Sequence, residues 1–196
     1  MSKIFTSLDD PGLIALLNGG AVGVIPTDTV YGLVAVATNK SAVERLYALK
    51  SRDHKPGTLI AATIDQLVAL GIKARYLKAV AGFWPGAISI ETPHSIEYLN
   101  MSTGRQGIRI PDYDALLQLM RATGPLQTTS ANAPGEPVAT TLAESEAYFG
   151  DAVDFYVDGG NLFDRPPSTL IRVVDDAIEV IREGAVKIDE NGRILS

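Results

Sequence analysis

With 196 residues, 46% of them hydrophobic, the chain can bury one full core, and a single domain is expected. It contains no cysteine, which excludes disulfides, thiolate-bound zinc and thiol catalysis. The formal net charge of −6 argues against a broad nucleic-acid footprint, which needs many Lys and Arg contacts to phosphate, but it leaves room for a local basic pocket.

The first residues carry no long apolar run after Lys3, and no later stretch is apolar over the width of a bilayer. A soluble, cytoplasmic protein without a signal peptide is therefore expected. Asp9-Asp10-Pro11 opens a short helix carrying Leu13, Ile14, Leu16 and Leu17, and Gly19-Gly20 stops it. Residues 21–25 and 30–36 read as two strands from their Val and Ile content, joined by Pro26-Thr27-Asp28-Thr29. Ser41 caps the next helix, whose inner side holds Val43, Leu46, Tyr47 and Leu49. That helix ends in Lys50-Ser51-Arg52, with Lys55 just beyond. A buried strand at 58–62 follows, then a helix capped by Thr63 and a helical stretch over 74–83 that ends at the turn Trp84-Pro85-Gly86.

Residues 87–91 and 107–110 read as strands separated by a polar loop, and Pro111-Asp112 starts a helix with Leu116, Leu117, Leu119 and Met120 on its apolar side. A short strand at 125–129 runs into Ser130-Ala131-Asn132-Ala133-Pro134-Gly135, too rich in Pro and Gly to be regular. Thr141 and Glu144 form a capping box for a helix ending near Gly150. Strands follow at 153–157 and 168–174, and Asp175-Asp176 turns into a last strand at 177–182. Some neighbouring strands are joined too closely for parallel crossovers, so the sheet is expected to be mixed, in an α/β or α+β fold.

Polar residues recur at strand exits: Thr27 to Thr29, Arg109, Thr128 to Asn132, Ser168-Thr169 and Arg182. Such exits line ligand crevices in α/β sheets, although hydroxyls also cap ordinary turns. Lys50, Arg52 and Lys55, at an exposed helix end, make an anion clamp or simply complement the helix dipole. His54 and His94 lie far apart, without metal-ligand spacing. There is no Walker loop and no GxGxxG fingerprint.

Pro26-Thr27-Asp28-Thr29-Val30-Tyr31-Gly32-Leu33, Lys50-x-Arg52, Trp84-Pro85-Gly86, Arg109-Ile110-Pro111, Thr129-Ser130-Ala131-Asn132, Pro167-Ser168-Thr169 and Ile181-Arg182-x-Gly184, in this order, resemble the YrdC-type threonylcarbamoyl-adenylate synthases. The resemblance covers nearly the whole chain and matches the short, single-domain form. It implies one domain over 1–196, with a core of residues 8–184 and a tail at 185–196. Its fold would be a twisted mixed β-sheet flanked by helices, with a deep, positively charged cavity. The implied reaction joins L-threonine and bicarbonate or CO2 as a carbamate, which attacks the α-phosphorus of ATP to give L-threonylcarbamoyl-AMP and pyrophosphate. The product serves tRNA threonylcarbamoyladenosine modification, through downstream transfer proteins.

By this resemblance Lys50, Arg52, Ser130 and Asn132 are the catalytic residues, and with Lys55 and Arg182 they bind the nucleotide. Thr29, Arg109, Thr128 and Ser168 bind L-threonine. Mg2+ accompanies ATP, and no protein metal ligands are expected. Three features depart from the family pattern: Asp53 follows Arg52 where Pro is frequent, Lys55-Pro56-Gly57-Thr58 is spaced differently from the usual Pro-Leu-containing stretch, and Ala61 or Ala62 replaces a frequent His. The alternative is a double-stranded RNA-binding or ribosomal RNA maturation factor on the same fold, with a weak tRNA or RNA contact; the acidic balance weighs against it. A carbamoyl-transfer relative from hydrogenase maturation is disfavoured by length.

Overall fold

The computed structural model describes residues 1–51, 55–175, 177–189 and 193–195. Its centre is the pair of apolar runs read first from the sequence. Strands β2 (Gly23–Pro26) and β3 (Tyr31–Val36) are buried throughout and pair antiparallel, Gly23 opposite Val34 and Pro26 opposite Tyr31. The remaining strands of this sheet are β1 (Lys3–Phe5), β4 (Thr58–Ile60), β5 (Ile88–Pro93), β6 (Arg105–Arg109), β7 (Leu126–Ser130), β8 (Phe155–Val157), β9 (Thr169–Val174) and β10 (Ala177–Arg182). They form one ten-stranded sheet in the order β1-β8-β2-β3-β7-β4-β6-β5-β9-β10. Pairing is mixed as expected: β4 runs parallel to β6 and β5 to β9, while β3–β7, β4–β7, β5–β6 and β9–β10 are antiparallel.

The helices flank this sheet. In α1 (Pro11–Asn18) the Asp10 carboxylate accepts from the Gly12 N–H, and Gly20 leaves the helix at a φ of +89°, where only glycine is unstrained. Helix α2 (Lys40–Leu49) is capped by Asn39, which accepts from the Ala42 N–H, and not by Ser41. Asn is as good a cap as Ser, and Asn39 also packs against Gly20 at the end of α1, a tertiary contact that local spacing does not reveal. Helix α3 (Ile64–Ala69) takes its cap from Thr63, and α4 (Ala74–Val80) runs into a 3-10 turn. Helix α6 (Asp114–Thr123) buries Leu116, Leu117, Leu119 and Met120, and α1 packs on it.

The capping box at α7 (Leu142–Phe149) is displaced by one residue. Thr141 accepts from the Glu144 N–H as expected, but the Glu144 carboxylate reaches back to the N–H and hydroxyl of Thr140. These bonds hold the Glu144 carboxyl below its usual range, the Thr140 N–H contributing most.

Three elements escape the sequence reading: β1, the single turn α5 (Glu97–Asn100) and the small ribbon of β11 (Lys187–Ile188) with β12 (Ile194–Leu195). Each is too short to show a period, and β1 exists only because β8, about 150 residues away, offers it a parallel edge. After β10 the chain folds back onto the start of β9. Gly184 lies so close that a Cβ would stand 2.3 Å from the Pro167 carbonyl, and the Ala185 N–H donates to that same oxygen. Among the described residues no helix is long and apolar enough to cross a membrane.

Candidate active site

Alternation along β6 places Arg105, Gly107 and Arg109 on one face of the sheet. All three line a cavity of about 410 Å3, a size typical of small-ligand sites. Its walls come from neighbouring strands: Thr58 of β4, Thr128 and Ser130 of β7, Glu91 of β5, and Leu170 of β9, with Ser168 just before it. The turn between β2 and β3 closes it with Thr27, Thr29 and Val30. Of the expected residues, Thr29, Arg109, Thr128, Ser130, Ser168 and Arg182 are thus gathered around one space.

Close backbone approach shapes the floor. A Cβ on Gly57 would lie 2.2 Å from the Thr128 carbonyl, and one on Gly32 2.7 Å from the Thr128 hydroxyl. The Gly57 N–H donates to the Tyr47 hydroxyl at 3.2 Å, and its carbonyl accepts from Gln106 at 2.9 Å. The segment entering β4 is therefore fixed from both sides.

At the β2–β3 turn the hydroxyl of Thr27 organises the loop. It accepts from the N–H groups of Thr29 and Val30, both at 3.2 Å, and donates to the Val30 carbonyl at 2.6 Å. The Thr29 hydroxyl lies 3.1 Å from it. Beside it Tyr31 donates to the Gly160 carbonyl and accepts from the Gly159 N–H, each at 2.8 Å; burial pushes its phenol pKa up.

Arg109 does not stand alone. Its Nη1 is held by both carboxylate oxygens of Asp28, and the pair is almost fully buried, with side chains 4% and 7% exposed. The Asp112 N–H also donates to Asp28, at 3.3 Å. The Arg109 Nε, buried, has no hydrogen-bond partner among the described residues. In register Arg109 lies level with Ile60, Leu126 and Val36, whereas Asp28 lies beyond the opposite end of β3. The β2–β3 loop that carries Asp28 reaches across this difference in level to meet Arg109.

Lys50 departs most from expectation. It is 4% exposed, not a surface cation. Its ammonium donates to the Ser130 carbonyl at 3.0 Å, and to the Asn132 carbonyl and Oδ1 at 2.5 and 2.7 Å. Asn132 Oδ1 also accepts from the Ser130 hydroxyl at 2.7 Å, while its amide donates to the carbonyls of Ala133 and Glu136. Pulling the helix end inward is worthwhile because the Pro- and Gly-rich loop after β7 has carbonyls that no strand pairs. Lys50 and Asn132 lie behind the cavity wall and set the position of Ser130, which faces the cavity. Lys55 is exposed at the rim beside Pro56, and Arg52 lies outside the described residues.

On the opposite wall Ser168 shares a hydrogen bond with Ser89 at 2.8 Å, and Arg182 donates to the Ser168 carbonyl at 2.8 Å. The sequence reading missed Asp28 as a partner of Arg109, and it missed a charged ladder across β6, β5, β9 and β10. In that ladder Arg105 Nε lies 3.1 Å from Glu91, Arg172 donates to the same Glu91 oxygen at 2.6 Å, and Arg172 also reaches Glu179 at 3.3 Å. Glu91 and Arg172 are single charges on β5 and β9, and which strands adjoin is not legible in the sequence.

The result is a mixed α/β sheet whose strand ends and glycines enclose a cavity lined by hydroxyls and guanidinium groups. The chain belongs to the Sua5/YciO/YrdC family, whose sequence model, described as telomere recombination, matches residues 15–184. It is 38% identical over 163 residues to a threonylcarbamoyl-AMP synthase of Pseudomonas aeruginosa, covering 80% of this chain and 88% of that one. The fold superposes on YciO of E. coli with a TM-score of 0.82 at 25% identity, over 97% of this chain and all of that one. With Sua5 of P. abyssi the TM-score is 0.84 at 25% identity, and the match covers 95% of this chain but only 61% of that longer protein.

Proposed function

We propose that the chain is an L-threonylcarbamoyladenylate synthase of the cytoplasm. The amine of L-threonine adds to CO2 derived from bicarbonate, losing a proton, to form a carbamate. One carbamate oxygen then attacks the α-phosphorus of ATP, and the bond from that phosphorus to the bridging oxygen of pyrophosphate breaks. L-threonylcarbamoyl-AMP leaves for transfer to tRNA by other proteins. No covalent enzyme intermediate is needed, so rate comes from positioning and from stabilising charge on phosphate oxygens.

The observation that carries this reading is the gathering of Thr29, Arg109, Ser130, Ser168 and Arg182 around one cavity, in a chain 38% identical to a synthase of that name. Arg109, steadied by Asp28, takes the threonine carboxylate. Thr29 accepts from the threonine hydroxyl. Ser130, set by Lys50 and Asn132, faces the phosphates, with Arg182 across the cavity. Among the described residues no group of three or more His, Asp or Glu side chains could hold a metal, and the cavity-side carboxylates Asp28 and Glu91 are already paired with arginines. These residues do not fit a protein-held metal, so magnesium enters as the ATP complex. RNA contact, if tested, is expected to be weak and salt-sensitive, given the net charge of −6.

Pyrophosphate release measured with ATP, L-threonine and bicarbonate, omitting each in turn, tests the reading. Release should require all three. Release that persists without threonine would overturn it.

A further inference from the structure

β10 is the last strand of the sheet and pairs on one side only, with β9. Its register therefore rests on that pairing and on the chain that follows it. The pairing contains an irregularity: Val180 stands opposite Ile171, but the residue opposite Leu170 is Arg182, with Ile181 passed over as a bulge. Without that extra residue Arg182 would stand opposite Thr169. Cross-strand partners share a face of the sheet. Alternation puts Ser168 and Leu170 on the cavity face and Thr169 on the other. The bulge is what turns Arg182 into the cavity, and a slip of one residue would turn it away.

A clasp just beyond the strand holds this register. The Thr169 side chain, facing away from the cavity and buried, donates to the Val186 carbonyl at 2.6 Å and accepts from the Val186 N–H at 3.1 Å. One hydroxyl thus satisfies both backbone groups of a residue that lies in no helix or strand. Between Arg182 and Val186, the Ala185 N–H donates to the Pro167 carbonyl at 2.8 Å. Gly184 permits that approach, since a Cβ there would stand 2.3 Å from the same oxygen. On the cavity side Arg182 donates to the Ser168 carbonyl at 2.8 Å and lies 3.3 Å from the Ser168 hydroxyl. Residues 182–186 therefore grip Pro167-Ser168-Thr169 from both faces, and Val186 packs on the core. Sliding β10 by one residue would break both Thr169 bonds and the Pro167 bond together.

We infer that Thr169 is a positioning residue: its hydroxyl, by holding Val186, locks the bulged register that presents Arg182 to the substrate. This rests on the proposed synthase reading for the ligand that Arg182 meets; the clasp itself does not.

The test is calorimetric titration of ATP with magnesium into the wild-type chain, Thr169→Val, Thr169→Ser, Arg182→Ala and the Thr169→Val/Arg182→Ala double variant. Melting curves verify folding, and hydrogen exchange reads the amides of residues 185 and 186. Thr169→Val should weaken ATP binding roughly tenfold, as an oriented charge-assisted contact is lost, and should speed exchange at both amides. Thr169→Ser, which keeps the hydroxyl, should restore both to within about twofold. The double variant should bind ATP about as weakly as Arg182→Ala alone, because the two residues act as one unit. Gly184→Ala, which pushes the clasp open from its other side, should reproduce the Thr169→Val defect. Unchanged ATP affinity or unchanged exchange in a folded Thr169→Val chain overturns the inference. So do additive losses in the double variant, which would make the hydroxyl a general strut. If Thr169→Val leaves ATP binding intact while turnover stays threonine-dependent, the inference falls and the synthase reading stands. If ATP binding follows Thr169 and Arg182 as one unit but no variant or wild-type chain turns over threonine, the synthase reading falls and the clasp stands.

Discussion

Lysine at a helix C-terminus reads locally as a cation complementing the dipole, yet Lys50 is buried and feeds its protons to three oxygens of the Ser130–Asn132 loop. Replacing it by methionine keeps most of the volume and strands those acceptors. Loss of about 2–4 kcal/mol of stability is expected, measured by urea unfolding, together with a fall of about a hundredfold in pyrophosphate release, because Ser130 loses its support. A fully active, equally stable Lys50→Met chain would show that the loop holds itself. Asp28 acts on Arg109 in the same indirect way. Asp28→Asn removes the buried counter-ion, and leaving a buried guanidinium uncompensated costs about 3 kcal/mol or more. KM for threonine should rise about tenfold with KM for ATP little changed; equal effects on both would make the pair a general structural strut.

Among the elements, those with a full period or a clear cap were legible: α1 from Asp10-Pro11 and Gly19-Gly20, α3 from Thr63, the β2–β3 hairpin from its Val and Ile runs. What stayed hidden depends on partners remote in sequence. Asp154, just before β8, illustrates this. Its carboxylate accepts from Arg45 of α2 and from the Val22 N–H at the entrance to β2, tying helix, hairpin and β8 together. Burial pushes its carboxyl up, but the Arg45 and Val22 hydrogen bonds and the Arg45 charge outweigh this and hold it below the usual aspartate range. A carboxyl depressed in the folded state contributes stability that is present above its unfolded pKa and lost as pH falls through the folded one. Melting temperature should therefore drop between about pH 5 and pH 3, and Asp154→Asn should start lower at pH 7 and lose less over that interval. Parallel curves for the two proteins would remove Asp154 from the acid response.

For the whole molecule, the motif residues were legible one by one, but their meeting depends on the strand order. Arg109 and Asp28 lie at different levels in register and nevertheless touch; no spacing in the chain encodes that directly. The same assembly sets what the cavity can select. If Thr29 offers a lone pair to the substrate, the amino acid must bring a hydroxyl proton. Serine supplies one and loses only a methyl contact, worth about 1 kcal/mol. Valine keeps the methyl and leaves the Thr29 oxygen facing carbon, at about 1–3 kcal/mol. A site built to hydrogen-bond a hydroxyl rejects its isostere more strongly than one missing methyl. Pyrophosphate release at equal amino-acid concentrations should rank threonine first, serine several-fold lower and valine lowest. Thr29→Val should narrow the gap between threonine and valine, since the oxygen that valine offends is gone. If valine equals or exceeds serine in the wild-type chain, the pocket reads shape alone, and the acceptor role of Thr29 falls with it.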